Sequence, residues 1–420
     1  MKLPFKKANI LLPKNADMHK WSVVACDQYT SEPKYWEKVE NIVGDAPSTL
    51  KLTLPEIYLE IGNVSEKISK INEEMDNLLN TDFFKTLNDS LIYLERTCKD
   101  GKIRKGIVGM VDLEDYSYEK GSQSLIRSTE GTVLERIPPR VKVRENAKLE
   151  LPHVMLLIDD EKKRIIEGLT DKVSSDDVLY DFDLMQDGGH IKGYKLSDNL
   201  ASNVFDGLEE LADKDNFETK YNVQNTGVLL FSVGDGNHSL ATAKTCYENL
   251  KKVLKKEEYE NHPARYALVE VVNIHSDALE FEPIHRVVFG VEPSKMIDEL
   301  EKFYDISRTE NVGQRVEYVY EGKSEVLYIR NPKSNLAVGS LQIFIDDYIK
   351  NHGGKVDYIH GDDVTRKLGS KPGNIGFLLP NMEKNDLFKT VILDGALPRK
   401  TFSMGHSFDK RYYLEARKIK

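Results

Sequence analysis

Apolar positions along the chain fall into two patterns, short continuous runs and repeats of three or four residues. The continuous runs predict buried strands, and the repeats predict amphipathic helices. Strands are predicted at 21–25, 107–111, 126–133, 140–144, 154–158, 227–233, 266–272 and 356–360, and helices at 64–78, from 31–33 onward, from 238 onward and at 341–349. This mixture predicts an α/β to α+β protein with a mixed sheet core and helices packed on it.

The clearest unit lies in the middle of the chain. An apolar strand at 227–233 leads into a tight turn at 234–237, a helix begins at His238, and a second strand follows at 266–272. This order predicts a strand–helix–strand unit at the centre of the fold. Around it we divide the chain into an N-terminal region at 1–145, a central region at 146–292 and a C-terminal region at 293–420, packed together.

Charge and cysteine content narrow the class of protein. The 420 residues include 59 Lys and Arg against 69 Asp and Glu, a formal net charge of −10. Such a balance disfavours non-specific nucleic-acid binding, which relies on excess cationic side chains. The three cysteines are too scattered for a disulfide scaffold. No apolar run approaches the roughly 20 residues that span a bilayer. We therefore expect a soluble cytoplasmic protein that binds neither nucleic acid nor membrane.

The turn before the central helix concentrates groups that can bind an anion. It reads Gly234, Asp235, Gly236, Asn237, His238 and Ser239. The start of a helix leaves amides unpaired and carries partial positive charge, and both properties favour phosphate. Asp235 can orient a hydroxyl, hold Mg²⁺ or act as a base, while His238 supplies a further donor. The alternative is a purely structural turn, in which glycine gives sharpness and Asp235 caps the helix.

Four other segments hold candidate site residues. Arg127 and Glu130 lie in a segment that pairs a guanidinium with hydroxyls and a carboxylate, and His285 and Arg286 follow Pro283. A Gly-rich loop at 185–193 could act as a substrate lid. The candidates in these segments are Arg127, Glu130, His285 and Arg286, with Gly189 and His190 in the loop and Asp27 and Gln28 after the first strand. Each segment also fits a structural interpretation, as an edge strand, a solvated face or a turn. Cys26 is more typical of a core residue than of a nucleophile.

Five stretches together resemble the domain-of-unknown-function family 1015. They are 21–30, 126–132, 234–240, 283–286 and 357–361. The turn at 235–239 is also similar to the phosphate-binding turn of the ParB/sulfiredoxin superfamily, which includes nucleotide-binding partition proteins, sulfiredoxins and free-serine kinases. Asp235, Gly236 and His238 match that pattern, whereas Asn237 and Ser239 depart from it.

Ser239 stands where the pattern has Arg, so the turn lacks the guanidinium that would bind a phosphate through two hydrogen bonds. Another cation must then serve, and the candidates are Arg127, Arg265, Arg286 and Lys244. Sulfiredoxin chemistry requires a Cys in this turn, and the turn has none, so that activity is disfavoured. The resemblance thus implies a phosphate site whose positive charge comes from outside the turn.

These observations lead to a first hypothesis of a cytosolic enzyme of phosphorylated small-molecule metabolism. It would act by phosphoryl transfer or phosphoester hydrolysis on a phosphorylated or carboxylated metabolite, with serine or phosphoserine as the leading substrate by resemblance. Mg²⁺ and a nucleotide are the cofactors that this chemistry suggests. The alternative is a nucleotide- or metabolite-binding regulator without turnover. A DNA partition-type protein is disfavoured by the net charge of −10.

Overall fold

The computed structural model describes residues 2–59, 61–309 and 312–420. Contacts divide the chain into two compact units. Unit 1 comprises Met1–Leu279 together with His406–Lys420, and unit 2 comprises Glu280–Gly405. The C-terminal segment therefore returns to the unit formed by the first two thirds of the chain.

Short strands make up the sheets of both units. In chain order they are β1 (Phe5–Lys6), β2 (Ala8–Pro13), β3 (Phe84–Ser90), β4 (Ile92–Thr97), β5 (Ile103–Asp112), β6 (Tyr116–Ser117), β7 (Ile126–Ser128), β8 (Leu149–Glu150), β9 (Met155–Ile158), β10 (Val178–Asp183), β11 (His190–Lys195), β12 (Phe231–Asp235), β13 (Tyr266–Asn273), β14 (Phe281–Phe289), β15 (Ile306–Ser307), β16 (Gln314–Tyr320), β17 (Lys323–Ile329), β18 (Lys355–His360), β19 (Asn374–Leu378), β20 (Phe402–Met404) and β21 (Arg417–Lys418).

Helices connect these strands. They are α1 (Met18–Trp21), α2 (Pro33–Val43), α3 (Val64–Leu79), α4 (Ile137–Arg144), α5 (Asp198–Ala212), α6 (Lys214–Tyr221), α7 (Asn237–Lys251), α8 (Lys256–Glu260), α9 (Pro293–Phe303), α10 (Ala337–His352), α11 (Asp362–Gly369) and α12 (Lys384–Asp394). Among the described residues, no helix combines the length and the apolar character needed to cross a membrane.

A ten-stranded mixed sheet forms the centre of unit 1. Its order is β10-β11-β4-β5-β13-β9-β12-β7-β6, with β1 paired to β5. Residues on β13 alternate between the two faces, because successive side chains of a strand point in opposite directions. Val269 and Val271 join the core that holds α5 and α7, whereas Leu268 joins the core that holds α2 and Tyr412. The sheet is thus covered on both faces.

Unit 2 contains its own sheet, in the order β15-β17-β16-β19-β14-β18, with β20 paired to β14. Strand β14 lies between β19 and the edge strand β18. Buried Val287 and Val288 on this strand, and Leu341 and Ile345 on α10, belong to its apolar interior.

The structure confirms the predicted α/β class and most of the predicted elements. The repeat beginning at Val64 forms α3, the turn after Glu32 begins α2, and the unit at 231–273 consists of β12, α7 and β13. The predicted helix at 341–349 is part of α10, which ends at Gly353 with φ 80°. Glycine adopts this positive φ without steric cost, and the helix ends here with a ψ of −169°, which differs from that of a left-handed helical cap.

Two predicted strands are wrong. Residues 140–144 belong to α4, because Pro138 lies in its first turn, where a missing amide hydrogen costs nothing. Trp21 ends α1, and of the residues after it Val24 forms only an isolated bridge to Tyr412. The central strand begins at Phe231 rather than at Gly227.

The compact units follow a different division from the three regions drawn at 145 and 292. Strand β13 pairs with β5 and with β9, so the N-terminal and central regions share one sheet. The return of 406–420 to unit 1 then separates the end of the chain from the C-terminal region. The three-region scheme stays a prediction from the sequence alone.

Gly189 offers a test of the packing in unit 1. Its φ is 76°, and an added Cβ would lie 2.0 Å from the Thr97 carbonyl oxygen. We expect Gly189→Ala to lower the free energy of unfolding by about 1–2 kcal/mol for the left-handed backbone and by a further 1–3 kcal/mol or so for the clash. Urea denaturation measures this loss.

The matched control is Gly101→Ala, because Gly101 has φ 83° and nothing within 4 Å of an added Cβ. It should show the backbone cost alone. Equal losses for the two variants would contradict the close approach of Gly189 to β4.

Candidate functional site

Three segments of unit 1 meet at one edge of the large sheet. Strands β7 and β12 are parallel, with Ser128 opposite Val233, so the segments that follow them leave at the same edge. Strand β9 is antiparallel to β12, with Met155 opposite Asp235, so the beginning of β9 lies there too. The residues around Thr129, Asp235 and His153 are brought together by this arrangement.

The turn at the end of β12 is shaped by close packing. The register of β12 against β9 shifts between Val233 and Asp235, at the position of Gly234. Gly236 then takes φ 79°, and a Cβ there would lie 3.0 Å from the Val154 Cα and 3.3 Å from His153 Cδ2. Only glycine fits such a positive φ at this distance from the neighbouring backbone. The backbone of the turn is therefore held directly against the start of β9.

Helix α7 begins at this turn without a side-chain cap. Gly236 occupies the capping position and has no side chain to offer. The first helical hydrogen bond runs from the Leu240 amide to the Gly236 carbonyl, so the amides of residues 237–239 lie at the open end of the helix. A helix of 15 residues places a partial positive charge at this end. The arrangement suits an anion.

Side chains from the segment after β7 fix the first turn of α7. Ser128 Oγ donates to Asn237 Oδ1 at 2.5 Å, and Asn237 Nδ2 donates to Thr129 Oγ1 at 3.3 Å. The Val133 amide donates to His238 Nε2 at 3.4 Å. Glu130, half-buried, lies in the same segment directly after Thr129. Asn237 therefore acts through its side chain as a link between two strand ends.

A cation reaches this edge from the C-terminal segment. Lys410 Nζ lies 3.3 Å from Asp235 Oδ2, and the two side chains are 12% and 17% exposed. Asp235 Oδ1 accepts from the Gly236 amide at 3.0 Å. The Asp235 carboxylate therefore faces both the turn and the Lys410 ammonium. Neither of these two charged groups is fully hydrated.

A second carboxylate, Asp27, lies beside the same cation. His153 Nε2 is 3.7 Å from Asp27 Oδ2, and Gln28 Nε2 donates to Asp27 Oδ1 at 3.1 Å. On its other side His153 Nδ1 is 2.8 Å from the Tyr413 hydroxyl, which accepts from the Cys26 amide at 3.2 Å. These contacts fix the orientation of the imidazole ring toward Asp27.

Electrostatics keeps Asp27 ionised and Cys26 protonated. Burial works to raise the pKa of Asp27, but His153, Gln28 and Lys410 together hold this pKa below its ordinary value. Burial and the neighbouring Asp27 carboxylate raise the pKa of the Cys26 thiol to about 12. A thiol with this pKa is not a nucleophile at neutral pH.

The cations expected from the sequence are engaged elsewhere. The Arg127 guanidinium donates to the carbonyls of Ser124, Gly227 and Val228. Arg265 forms two hydrogen bonds with Asp112, at 2.9 and 2.8 Å, and Lys244 donates to the Leu113 carbonyl at 2.8 Å and pairs with Glu248 at 2.9 Å. The Nε and Nη2 donors of Arg127 are thus engaged by main-chain oxygens, and its role as a phosphate ligand stays a prediction.

His285 and Arg286 lie in unit 2, on β14, and not in the unit that contains Asp235. His285 Nδ1 accepts from the Leu379 amide at 3.1 Å, and Nε2 lies 2.8 Å from Asp362 Oδ1. Burial lowers the pKa of His285. The Arg286 guanidinium donates to the carbonyls of Ile284, Arg399 and Lys400. Both side chains therefore stabilise the interior of unit 2.

The Gly-rich loop is anchored rather than hinged. Its Gly188 carbonyl accepts from the Arg96 guanidinium at 2.7 Å, and its Met185 carbonyl accepts from the Tyr412 hydroxyl at 2.9 Å. His190 begins β11 and places both ring nitrogens 2.7 Å from carboxylates, those of Asp183 and Asp181. These contacts favour the structural turn over the substrate lid, and the roles of Gly189 and His190 in binding substrate stay predictions.

Two groups of side chains in unit 1 have the chemistry of metal ligands. Asp27 and Asp235 are the carboxylates at the anion site. Asp159, Glu161 and His275 place ligand atoms within 4.8 Å of one another at the other end of β9. There the Lys220 ammonium lies 2.9 Å from Asp159 Oδ1, so this second group already has a cation.

Sequence reasoning missed Lys410, His153 and Tyr413. A signal for His153 exists, because it directly precedes a predicted strand, and an antiparallel strand presents its start where its neighbour ends. Lys410 and Tyr413 carry no local signal. They reach the site only because the chain returns to unit 1 after Gly405.

Comparison with known proteins gives a family and a set of structural likenesses. The model of the family described as "Protein of unknown function (DUF1015)" matches residues 3–348. A search of curated proteins finds no match.

Among solved structures, a free serine kinase mutant in complex with AMP matches with a TM-score of 0.39 and 10% identity, over 74% of this chain and 91% of that one. Another mutant of free serine kinase, in complex with ADP, matches with a TM-score of 0.39 and 10% identity, over 76% and 93%. SbnI with a C-terminal truncation, from Staphylococcus aureus, matches with a TM-score of 0.35 and 10% identity, over 71% and 83%.

The pH dependence of stability tests the contacts that His190, at the start of β11, makes with Asp181 and Asp183 on β10. The hydrogen bond to Asp183 raises its pKa above 6.5, against a smaller opposing effect of burial, and Asp181 adds to the rise. The folded state therefore binds the charged ring. Its contribution to stability is complete below about pH 6.5 and is lost as the pH rises through the folded-state pKa.

NMR titration of the histidine rings measures this pKa directly. Asp183→Asn should lower the pKa of His190, whereas His262 is an internal control, since burial lowers its pKa. A His190 ring that titrates below 6.5 in the wild-type protein would show that the two carboxylate contacts do not form in solution.

Proposed function

We propose a function from the site itself, because this chain belongs to DUF1015, a family of proteins of unknown function. Unit 1 is an enzyme that binds a phosphoryl group at the open end of α7 and transfers it between a phosphorylated donor and the hydroxyl of a small metabolite. The observation that carries this proposal is Lys410, whose ammonium lies 3.3 Å from Asp235 beside the uncapped helix.

The positive end of α7 and Lys410 supply the two kinds of donor that a phosphoryl group needs. Backbone amides at a helix start bind phosphate oxygens without a side-chain cap in competition. The Lys410 ammonium offsets the negative charge that spreads over the transferring oxygens. Lys410 thus takes the place of the arginine that the turn lacks at Ser239.

Asp235 is the proton acceptor of the proposed reaction. Its carboxylate faces the turn that holds the phosphoryl group, and its Oδ2 lies 3.3 Å from the Lys410 ammonium. The substrate oxygen attacks phosphorus, the bond from phosphorus to the donor's bridging oxygen breaks, and the hydroxyl proton passes to Asp235. Phosphoryl transfer needs little more of a protein than this positioning and charge compensation.

Asp27 suits a substrate that carries an ammonium group. Its pKa is held below the ordinary value, because His153, Gln28 and Lys410 outweigh the effect of burial. A carboxylate that remains ionised in a partly buried place attracts a cationic group. An amino acid with a hydroxyl side chain meets this requirement, and the resemblance of the turn to that of free-serine kinases makes serine the first substrate to test.

A nucleotide is the proposed donor, and its Mg²⁺ would be held by the donor's own phosphates, because Asp27 is assigned to the substrate ammonium and Asp235 to the proton. Mg²⁺ commonly binds substrate phosphates and retained waters, and it neutralises phosphate charge when bound. The amides of residues 237–239 would hold the transferring phosphoryl group in the same arrangement.

A regulator that binds the same ligand without turnover is the second candidate. The turn has no arginine, and Arg127 and Arg265 in unit 1 are committed to main-chain or carboxylate oxygens. Both observations favour binding without turnover. Lys410 would then serve binding alone. Turnover separates the two candidates.

Purified protein incubated with serine, Mg²⁺ and ATP or ADP should form phosphoserine, which ³¹P NMR detects. Phosphoserine alone, with release of inorganic phosphate as the readout, tests the hydrolytic direction. We expect Lys410→Met and Asp235→Asn each to lower kcat/KM by about 10²-fold, the usual loss when a group that stabilises transition-state charge or accepts its proton is removed.

Lys220→Met is the matched control. Lys220 is also a partly buried lysine paired with an aspartate, Asp159, but it lies at the other end of β9. Its removal should leave kcat/KM unchanged. Ligand-induced thermal stabilisation without any product would support the regulator, and product formation that survives Lys410→Met would contradict the proposed site.

A further inference from the structure

Main-chain carbonyls of the C-terminal segment, at and next to Lys410, accept hydrogen bonds from the large sheet of unit 1. Two buried arginines, Arg96 on β4 and Arg104 on β5, donate to three consecutive carbonyls of this segment. Arg96 binds the carbonyls of Phe408 and Lys410, both at 2.5 Å, and Arg104 binds the carbonyl of Asp409 at 2.6 Å.

The Arg96 guanidinium also joins this segment to the Gly-rich loop. Its Nε and Nη2 donate to the Gly188 carbonyl at 3.0 and 2.7 Å, while Nη1 and Nη2 hold the segment at 408–410. The ring of Tyr412 lies 4.9 Å from its Cζ, a favourable contact for a cation over an aromatic face. A planar fork with five N–H donors can make these bonds at once, whereas an ammonium cannot.

Arg96 and Arg104 are a buried pair of like charges, and their repulsion lowers the stability of the fold. Arg96 and Arg104 are directly opposite on neighbouring antiparallel strands, and their relative exposures are only 1% and 3%. Burial and the nearby Arg104 lower the pKa of Arg96 to about 10. The nearest carboxylate is Glu270, 3.4 Å from Arg104 Nε and 2.8 Å from Arg411 Nε.

The Glu270 carboxylate is therefore shared between Arg104 and Arg411. A buried charge without its own counter-ion destabilises a protein unless other polar contacts compensate. The compensating contacts here are the carbonyls at 408–410 and that of Gly188. Three of these four carbonyls belong to the short segment from which Lys410 extends.

We infer that Arg96 and Arg104 are positioning residues for Lys410, which fix the backbone at 408–410 so that its ammonium stays beside Asp235 at the anion site. The catalytic meaning of this inference rests on the proposed function. The hydrogen bonds from Arg96 and Arg104 to the carbonyls at 408–410, here called the clamp, do not depend on it. Loss of either guanidinium frees the segment, and the Lys410 side chain, 12% exposed, becomes more accessible to solvent.

Competitive labelling of lysines, read by mass spectrometry, tests the clamp without any assay of activity. Arg96→Lys and Arg104→Lys should each increase the labelling rate of Lys410 several-fold and leave that of Lys220 unchanged. The two variants remove different contacts to the segment, so one that fails to fold leaves the other to decide. Thermal melting confirms that the labelled proteins are folded.

Arg417→Lys is the matched control for the loss of a buried arginine. Arg417 also lies in the C-terminal segment and donates to the carbonyls of Pro263 and Tyr266 and to Glu150, but it does not touch 408–410. It should lower the melting temperature without changing the labelling of Lys410. If all three variants lose stability and Lys410 labelling stays at the wild-type rate, the inference is overturned.

Inorganic phosphate affinity connects the clamp to the site. Each of the two variants should weaken phosphate binding roughly tenfold, since the contact at risk is one charge-assisted hydrogen bond, and neither should weaken it further in a Lys410→Met background. A weakening that persists in that background would overturn the positioning role. If labelling changes as expected while the wild-type protein binds no phosphate, the proposed function fails and the clamp stands.

Discussion

The site depends on one constraint, which is that β9 runs antiparallel to its neighbour β12. Strands β7 and β12 alone would bring together the residues after Ser128 and Asp235, as parallel strands do. Because β9 runs the other way, His153, which lies just before its first residue, joins them, and Gly236 packs against the backbone of Val154. The turn is therefore rigid, and the amides at the start of α7 have a fixed direction. A site assembled from strand ends in this way requires little adjustment when an anion arrives.

Positive charge at this site comes from the far end of the chain. The arginines near the turn in sequence or in the sheet serve the main chain or a carboxylate, as Arg127 and Arg265 show. Lys410 arrives on a segment that returns to unit 1 after unit 2 is complete. The segment that completes unit 1 therefore also supplies the cation of the proposed phosphate site.

Local pattern predicted the elements but not the site's electrostatics. The repeat from Val64 predicts α3, since a helical face needs no information beyond its own residues. The alternation of basic residues and valine at 140–144 predicts a strand, yet Pro138 starts a helix there. Asp235 and Gly236 were candidates because they follow a predicted apolar strand, and Asp27 because it follows a predicted strand at 21–25 that the structure does not contain. Lys410 and the arginines that hold it were not, because their contacts join segments that are distant in sequence.

The most direct measurement is a titration of inorganic phosphate into ¹⁵N-labelled protein, followed by the backbone amide signals of unit 1. We predict that the largest shifts occur at Asn237, His238 and Ser239, and that Lys410→Met weakens them without moving them elsewhere. Shifts centred on another part of unit 1, or shifts at the turn that do not depend on Lys410, would contradict this prediction.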